Sequence, residues 1–289
     1  MFKNTLSKCI LFLICFVQCY ASAYEHDLAI CCIFKDCTPY LKEWIEFHRL
    51  VGVDHFYLYD NSSTDNPMDV LDEYVEKGIV SYIYWPNKDE EKWGDQAWAW
   101  VFSTQLPAYY HAKNLTIGKV KWLAYIDSDE FIVPVVDKNI KHLLKRNYKK
   151  DALEIFWQVY GTSHVYDIPQ NKLMIELLTL KCPPRDNINL HTKIIVRPEY
   201  FVKFTHPPHK GIYSRNGVYS TIIDEIRINH YINRTEKFFY EHKIKNKEVM
   251  DNMTWNENYI KAWANLGNDI EDRIMDKYIP KLKKRMGFK

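Results

Sequence analysis

The chain has 289 residues, of which 47% are hydrophobic, 26% charged and 15% aromatic, enough to bury one substantial core. Its formal charge is +2, and taking Lys3 and Lys8 of an apolar leader from the 39 basic residues leaves 37 against 37 acidic ones. That balance excludes a protein whose affinity rests on neutralising many nucleic-acid phosphates.

Residues 1–23 read as a secretory signal. Lys3 and Lys8 precede an apolar run at 10–17, and Ala21-Ser22-Ala23 supplies small residues for cleavage. The run is shorter than the roughly 20 apolar residues that span a bilayer. A mature chain from Tyr24, secreted or lumenal and without a stable membrane span, is therefore expected, with an uncleaved signal anchor as the competing reading. Cys31, Cys32, Cys37 and Cys182 would then meet an oxidising compartment. Cys37 with Cys182 is the pair to test as a disulfide, whereas Cys31 and Cys32 lie in a strand-like run and suit small buried hydrophobes. No Cys-x-x-Cys spacing suggests zinc. Sequons stand at Asn61, Asn114, Asn233 and Asn252.

Residues 28–34 are continuously apolar, as in a strand buried on both faces. A helix should follow, capped by Thr38, with Pro39 in its first turn, Leu41, Trp44, Ile45 and His48 on one face, and Gly52 closing it. Residues 55–59 read as a second strand ending at Asp60. Asn66-Pro67 opens a second helix through Lys77, with Val70, Leu71, Tyr74 and Val75 inward and Gly78 as terminator. Residues 79–85 form a third strand. A polar loop at 86–95 leads to a helical stretch that Pro107 bends or restarts, and then to the strand Trp122-Leu123-Ala124-Tyr125-Ile126. Strands alternating with helices predict an α/β fold with a mainly parallel sheet. Residues 152–159, 173–180, 191–196 and 227–231 are strand-like and should build an acceptor side. From Thr235 the chain turns helical and charged, with Phe238, Phe239, Trp255, Tyr259, Trp263, Ile270, Ile274 and Tyr278 as candidate packing positions. We expect one domain over 24–234 and a helical extension, 235–289, packed on it; no internal repeat is present.

The fourth strand delivers Asp127-Ser128-Asp129, followed by Glu130. Carboxylates at the end of a strand too apolar to face water belong at the carboxyl edge of an α/β sheet, where such folds bind ligands. Two of them can share a hard divalent cation that holds a nucleotide's phosphates; a structural turn is the competing reading. Glu130 could orient the pair from behind, or simply form a surface salt bridge. His230, near the end of its strand-like segment, is a further candidate ligand whose imidazole suits manganese better than magnesium, with a satisfied core histidine as the competing reading. Asp60, Asn61 and Asp65 share the expected edge and could contact a nucleotide, although Asp and Asn also favour turns there. Gln96 could bind a donor through its amide. Lys193 and Arg197 could balance a diphosphate, or their alternation could mark a half-exposed strand. His206-Pro207-Pro208-His209 does not read as zinc, because the prolines prevent a regular helical arrangement and no further ligands accompany it.

Several segments resemble glycosyltransferase family 92. They are Tyr40-Leu41-Lys42-Glu43-Trp44-Ile45-Glu46-Phe47-His48, Gly52-Val53, Phe56-Tyr57-Leu58-Tyr59-Asp60-Asn61-Ser62-Ser63-Thr64-Asp65, Gln96-Ala97-Trp98-Ala99, the run from Trp122 to Ile132, Trp157 to Ser163, Lys193 to Pro198, and Ile228-Asn229-His230-Tyr231. The resemblance spans about residues 28–245. It implies a single GT-A (Rossmann-like) domain and metal-dependent, inverting transfer of a sugar, galactose as the best guess, from a UDP-sugar to a glycan acceptor. It also implies that one motif carboxylate, Asp127, faces the donor ribose while Asp129 binds manganese or another divalent cation. Asp36-Cys37 stands where the family more often has Asn-Glu, and Trp100 to Ser103 lacks the polar and cysteine residues often seen there. Inversion requires a general base; Asp224 or Glu225, well downstream of the motif, is preferred, with Asp167 and Asp186 as alternatives. Trp93, Trp98, Trp157 and Tyr160 could stack on sugar rings, or simply form core. An inactive relative acting as a secreted glycan-binding module is the alternative. A nucleotidyltransferase or phosphatase lacks support, since the motif runs directly into Phe131-Ile132-Val133-Pro134.

Overall fold

The structure is a computed structural model and describes residues 24–86, 100–244 and 257–288. Its first half runs β1 (His26–Phe34), α1 (Thr38–Leu50), β2 (His55–Asp60), α2 (Met68–Glu76), β3 (Val80–Tyr84), α3 (Leu106–Thr116) and β4 (Val120–Tyr125). The four strands pair in the order 3-2-1-4, all parallel. Alternation along β1 explains the layering. Leu28, Ile30, Cys32 and Phe34 pack with α1 and α2, while Ala29, Cys31 and Ile33 pack with α3 on the other face.

Local details refine the expected elements. Cys37 is the residue before α1 and offers no side-chain cap. Asp65 Oδ2 accepts the Thr38 amide at 2.8 Å instead, so a loop beyond β2 satisfies one of the orphan donors that Thr38 was expected to serve. A π-helical turn at Val101–Gln105 runs into α3, and Pro107 sits in the first turn of that helix, where its missing N–H is tolerated.

The second half contains β5 (Glu130–Pro134), α4 (Ile140–Arg146), β6 (Ala152–Val159), β7 (Leu180–Lys181), β8 (Thr192–Val196), β9 (Phe201–His206), β10 (Lys210–Tyr213), β11 (Val218–Ser220) and β12 (Ile226–His230). The sheet continues from β4 as 4-8-6-12-5, with β11 also on β6. β8 is antiparallel to β4 and β6, β12 is parallel to β6, and β5 is antiparallel to β12. The expected α/β class with a mainly parallel central sheet, the GT-A arrangement, is present. Residues 173–180 were expected as a strand, but Met174–Leu177 is a helical turn. The buried Glu43 carboxylate accepts the Met174 and Ile175 amides at 2.8 and 3.0 Å, which holds the turn's first donors, and Met174, Glu176 and Leu177 are themselves good helix formers.

The C-terminal segment forms α5 (Glu257–Asn265), β13 (Ile270–Glu271) and α6 (Ile279–Met286). β13 pairs with β7, Leu282 is fully buried, and the Tyr278 ring lies 5.1 Å from Phe47 of α1. Ile270, a candidate packing position, is instead 42% exposed. Trp255, Trp93 and Trp98 lie outside the described residues, as does the leader. Among the described residues no helix is long and apolar enough to cross a membrane. Cys31, Cys32, Cys37 and Cys182 are all free and buried, which corrects the disulfide expectation for Cys37 and Cys182: both thiols sit within the apolar core.

Candidate active site

The carboxyl ends of β1, β2, β4, β6 and β12 open on one edge of the sheet, and the antiparallel β5 and β8 begin there. Asp127 to Glu130 cross this edge between β4 and β5. The turn is closed by the Glu130 amide donating to Asp127 O at 3.1 Å and by the Asp127 amide donating to Glu130 Oε2 at 2.9 Å. Glu130 is fully buried, so it braces the turn from inside. Burial drives its carboxyl well above the usual range; Lys193 opposes the shift, and Asp127 and Asp129 reinforce it.

Lys193 enters from β8, whose register sets Ile194 opposite Tyr125. Its Nζ lies 2.5 Å from Asp127 Oδ2 and 3.3 Å from Glu130 Oε2. Burial alone would depress this ammonium, but the adjacent carboxylates, Asp127 first, hold its pKa above the ordinary value. Lys193 is therefore a fixed cation at the sheet edge. Tyr109 of α3 also donates weakly to Asp127, at 3.4 Å.

His230 ends β12 in register with Glu130. Its Nε2 is 3.5 Å from Asp129 Oδ1, and its Nδ1 is 4.0 Å from Glu130 Oε1. Both Nδ1 and Glu130 Oε1 are buried without a hydrogen-bond partner. The Asp129 carboxyl is held well below its usual range: burial would raise it, but His230, and then Arg234, prevail. Asp129 and His230 thus fit a divalent cation facing them both, with Glu130 behind the imidazole in the place a histidine ligand's second nitrogen commonly addresses. Among the described residues there is no ready-made group of three or more His, Cys, Asp or Glu ligands, so phosphate and water oxygens would have to complete the shell.

Arg234 was not singled out from the sequence, whereas Trp157 was, as a candidate for stacking on a sugar ring. Arg234 has φ 49°, donates to Ser128 Oγ at 2.9 Å, and is stacked between Tyr40 and Phe238 at 4.5 and 4.4 Å. Its position just past the end of β12 was the available signal. On the other side, Trp157 packs against His230 at 4.3 Å, His191 at 4.9 Å and His209 at 5.3 Å between ring centroids. His209 Nδ1 is bonded to Thr192 O at 2.7 Å, which leaves Nε2 as the accepting atom. Burial, then the Lys193 cation, pushes this imidazole down to about 3.

The remaining candidates separate clearly. Asp60 lies at the correct edge, but its carboxylate accepts the Ser63 amide at 2.8 Å and Tyr82 Oη–H at 2.6 Å. Asn61 donates to Trp85 O at 3.0 Å and accepts from Trp100 Nε1 at 3.1 Å. Asp65 caps α1 as described. These three side chains shape the loops beside the site. Gln96 lies outside the described residues. Arg197 is misplaced by the expectation, since β8 runs back along β4 away from the motif, with Val196 opposite Leu123, and four residues of strand, ~13 Å, separate Arg197 from Lys193. Its guanidinium lies over Trp122 at 5.0 Å. Asp224 and Glu225 are likewise at the far edge, because Ile226 pairs with Pro134 while His230 pairs with Glu130. There Glu225 accepts from Arg146 at 3.1 Å and Tyr219 at 3.0 Å, so neither acid reaches the motif. Asp167 is paired with Lys237 at 2.7 Å, and Asp186 caps the turn at Ile188 at 3.0 Å.

Fold and site define an α/β protein of the doubly wound kind, with a carboxylate, lysine and histidine cluster at the ligand-binding edge. The description of glycosyltransferase family 92 matches residues 26–274, and the chain belongs to that family. A family 92 protein of Ricinus communis is 24% identical over 179 residues, covering 60% of this chain and 29% of the relative. One of Arabidopsis thaliana is 22% identical over 223 residues, covering 73% and 36%. The chain thus spans about a third of the length of these relatives. Among solved structures, S. aureus TarS aligns with a TM-score of 0.40 and 14% identity over 82% of this chain and 69% of that one.

Proposed function

We propose that the chain is a metal-dependent inverting glycosyltransferase that moves a sugar from a UDP-sugar to a glycan acceptor. The observation that carries this reading is the convergence of Asp127, Asp129, His230 and the buried Lys193 on the carboxyl edge of the sheet. Galactose and the uridine nucleotide rest on the family resemblance, and family membership supports transferase chemistry. Asp129 and His230 would hold manganese or a similar ion, which supplies charge neutralisation for a departing diphosphate when bound. Lys193 places a second, permanent positive charge beside Asp127, where a phosphate oxygen can share it. Glu130 keeps the Asp127 to Glu130 turn in shape, and Arg234 anchors Ser128 within it. On the other side of His230, the wall of Trp157, His191 and His209 offers an aromatic face and imidazole nitrogens suited to a sugar acceptor. Inversion also needs a base for the acceptor hydroxyl proton, and Asp224 and Glu225, at the far edge of the sheet, do not supply it.

Calorimetric titration of the protein with a panel of nucleotide sugars, with and without manganese, tests the reading. Manganese-dependent binding of one UDP-sugar, reduced at least about tenfold in Asp129→Asn and Asp127→Asn, is expected. A folded wild type that binds no nucleotide would overturn it and favour the glycan-binding relative.

A further inference from the structure

Lys193 grips only one oxygen of Asp127, with Nζ 2.5 Å from Oδ2. A carboxylate held at one point can still turn about that point. The Asp127 side chain is 34% exposed, and its outward lone pairs are what a ligand at the sheet edge would meet, so the plane of this group matters. A second contact, on Oδ1, removes the freedom to turn. It comes from Tyr109 of α3, whose hydroxyl lies 3.4 Å away. The Tyr109 ring is fully buried and packs on Tyr125 at 4.9 Å and Phe204 at 5.8 Å between ring centroids, so it cannot swing aside.

A buried phenol needs an acceptor, and an ionised carboxylate can only accept. Tyr109 therefore donates to Asp127, and its own oxygen accepts from Gln105 Nε2 at 3.3 Å. Gln105 is 5% exposed and stands four residues before Tyr109, on the same helical face. Both bonds are longer than ideal, and bonds at catalytic sites often tighten only around a ligand. Gln105 also ends the π-helical turn Val101–Gln105, in which the Leu106 amide donates to Val101 O; such turns are rare and concentrate at functional sites. The turn is tied to the same sheet edge. Trp85 Nε1 donates to Thr104 O and Trp100 Nε1 to Asn61 Oδ1, both at 3.1 Å, and Asn61 and Trp85 directly follow β2 and β3. The relay from Gln105 to Asp127 thus starts from an anchored turn.

We propose that Tyr109, backed by Gln105, is a positioning residue that fixes the plane of the Asp127 carboxylate for a bound nucleotide. This rests on the transferase reading. The test is calorimetric titration of the full chain with UDP in the presence of manganese. Tyr109→Phe removes only the hydroxyl and should weaken UDP binding about fivefold. Tyr110→Phe is the matched control: its hydroxyl accepts the Phe204 amide at 3.3 Å, and its loss should leave UDP affinity at the wild-type value. Gln105→Leu should weaken UDP binding in the wild-type background and add nothing in the Tyr109→Phe background, because both side chains act through one carboxylate. A role in core packing alone would lower the thermal melt without producing that pattern. Unchanged affinity in folded Tyr109→Phe, an equal loss in Tyr110→Phe, or additive losses in the double variant would overturn the proposal. Should Tyr109→Phe fail to fold, Gln105→Leu decides: weakened binding supports the proposal and wild-type binding overturns it. A wild type that binds no UDP would overturn the transferase reading, and this proposal with it.

Discussion

His48, on the inward face of α1, holds an amide that no strand reaches. Its Nδ1 bonds Trp44 O at 2.8 Å and its Nε2 accepts the Ile132 N–H at 3.1 Å. β5 is the last strand of the sheet, so this imidazole supplies the partner that a further strand would otherwise provide. Burial depresses the imidazole to about 3 from its ordinary 6.5. Between those values the unfolded chain binds the extra proton, so His48's contribution is complete above pH 6.5 and is lost as pH falls toward 3. His48→Leu should cost about 1–3 kcal/mol at neutral pH by leaving the Ile132 amide unpaired. Urea denaturation across pH should also show a shallower acid decline in that variant; an unchanged pH slope would refute the assignment. Helical spacing alone directed His48 inward, but its partner, 84 residues away, was not legible, because spacing reports a face and not what covers it.

At the scale of elements, glycines decide how the C-terminal segment meets the sheet. The Gly161 amide donates to Gly267 O at 2.9 Å. A Cβ on Gly161 would stand 2.6 Å from Leu266 O and 2.7 Å from Gly267 C, while Gly267 itself has φ +79°. Asn268 Oδ1 would lie nearer still, at 2.3 Å, but even if that side chain moved aside the backbone contacts would remain. Gly161→Ala should therefore loosen the docking of α5 and β13, seen as faster limited proteolysis in residues 257–277 and about 1–3 kcal/mol lower stability. Proteolysis at the wild-type rate would count against it. The same scale accounts for the helical turn at Met174–Leu177. Its residues allow a helix, Glu176 accepts the Leu173 amide at 3.4 Å, and the distant Glu43 carboxylate, bonded at 2.8 and 3.0 Å, holds the turn's first donors.

Across the whole molecule, the sheet separates two cores and closes all four described cysteines from solvent. Burial pushes the Cys37 thiol up to about 11, against the pull of Arg234 and Ser128, and the Cys182 thiol up to about 12. Cys31 and Cys32 are raised well above the ordinary value by burial and then by Asp127. Alkylation of these four at pH 8 should be at least about 100-fold slower in the native chain than in urea, since exposure requires global opening. Mass spectrometry of the tryptic peptides reads this directly; a Cys37–Cys182 linked peptide under non-reducing conditions would contradict the free thiols.

What the sequence determined by itself was the run of alternating strands and helices to β4 and the acidic turn at its end. Apolar periodicity, helix-ending glycines and the Asp127-Ser128-Asp129 triplet are local signals, and the parallel order they imply leaves only one edge for the motif. Strand direction in the second half was decided by tertiary pairing. Because β8 runs antiparallel to β4, Lys193 at its start reaches Asp127 and Arg197 beyond its end does not. Because β12 runs parallel to β6, His230 at its end reaches Asp129, while Asp224 and Glu225 before its start are left at the far edge. A strand's residue pattern is nearly the same whichever way it runs, and only its neighbours in the sheet choose the end that meets the site.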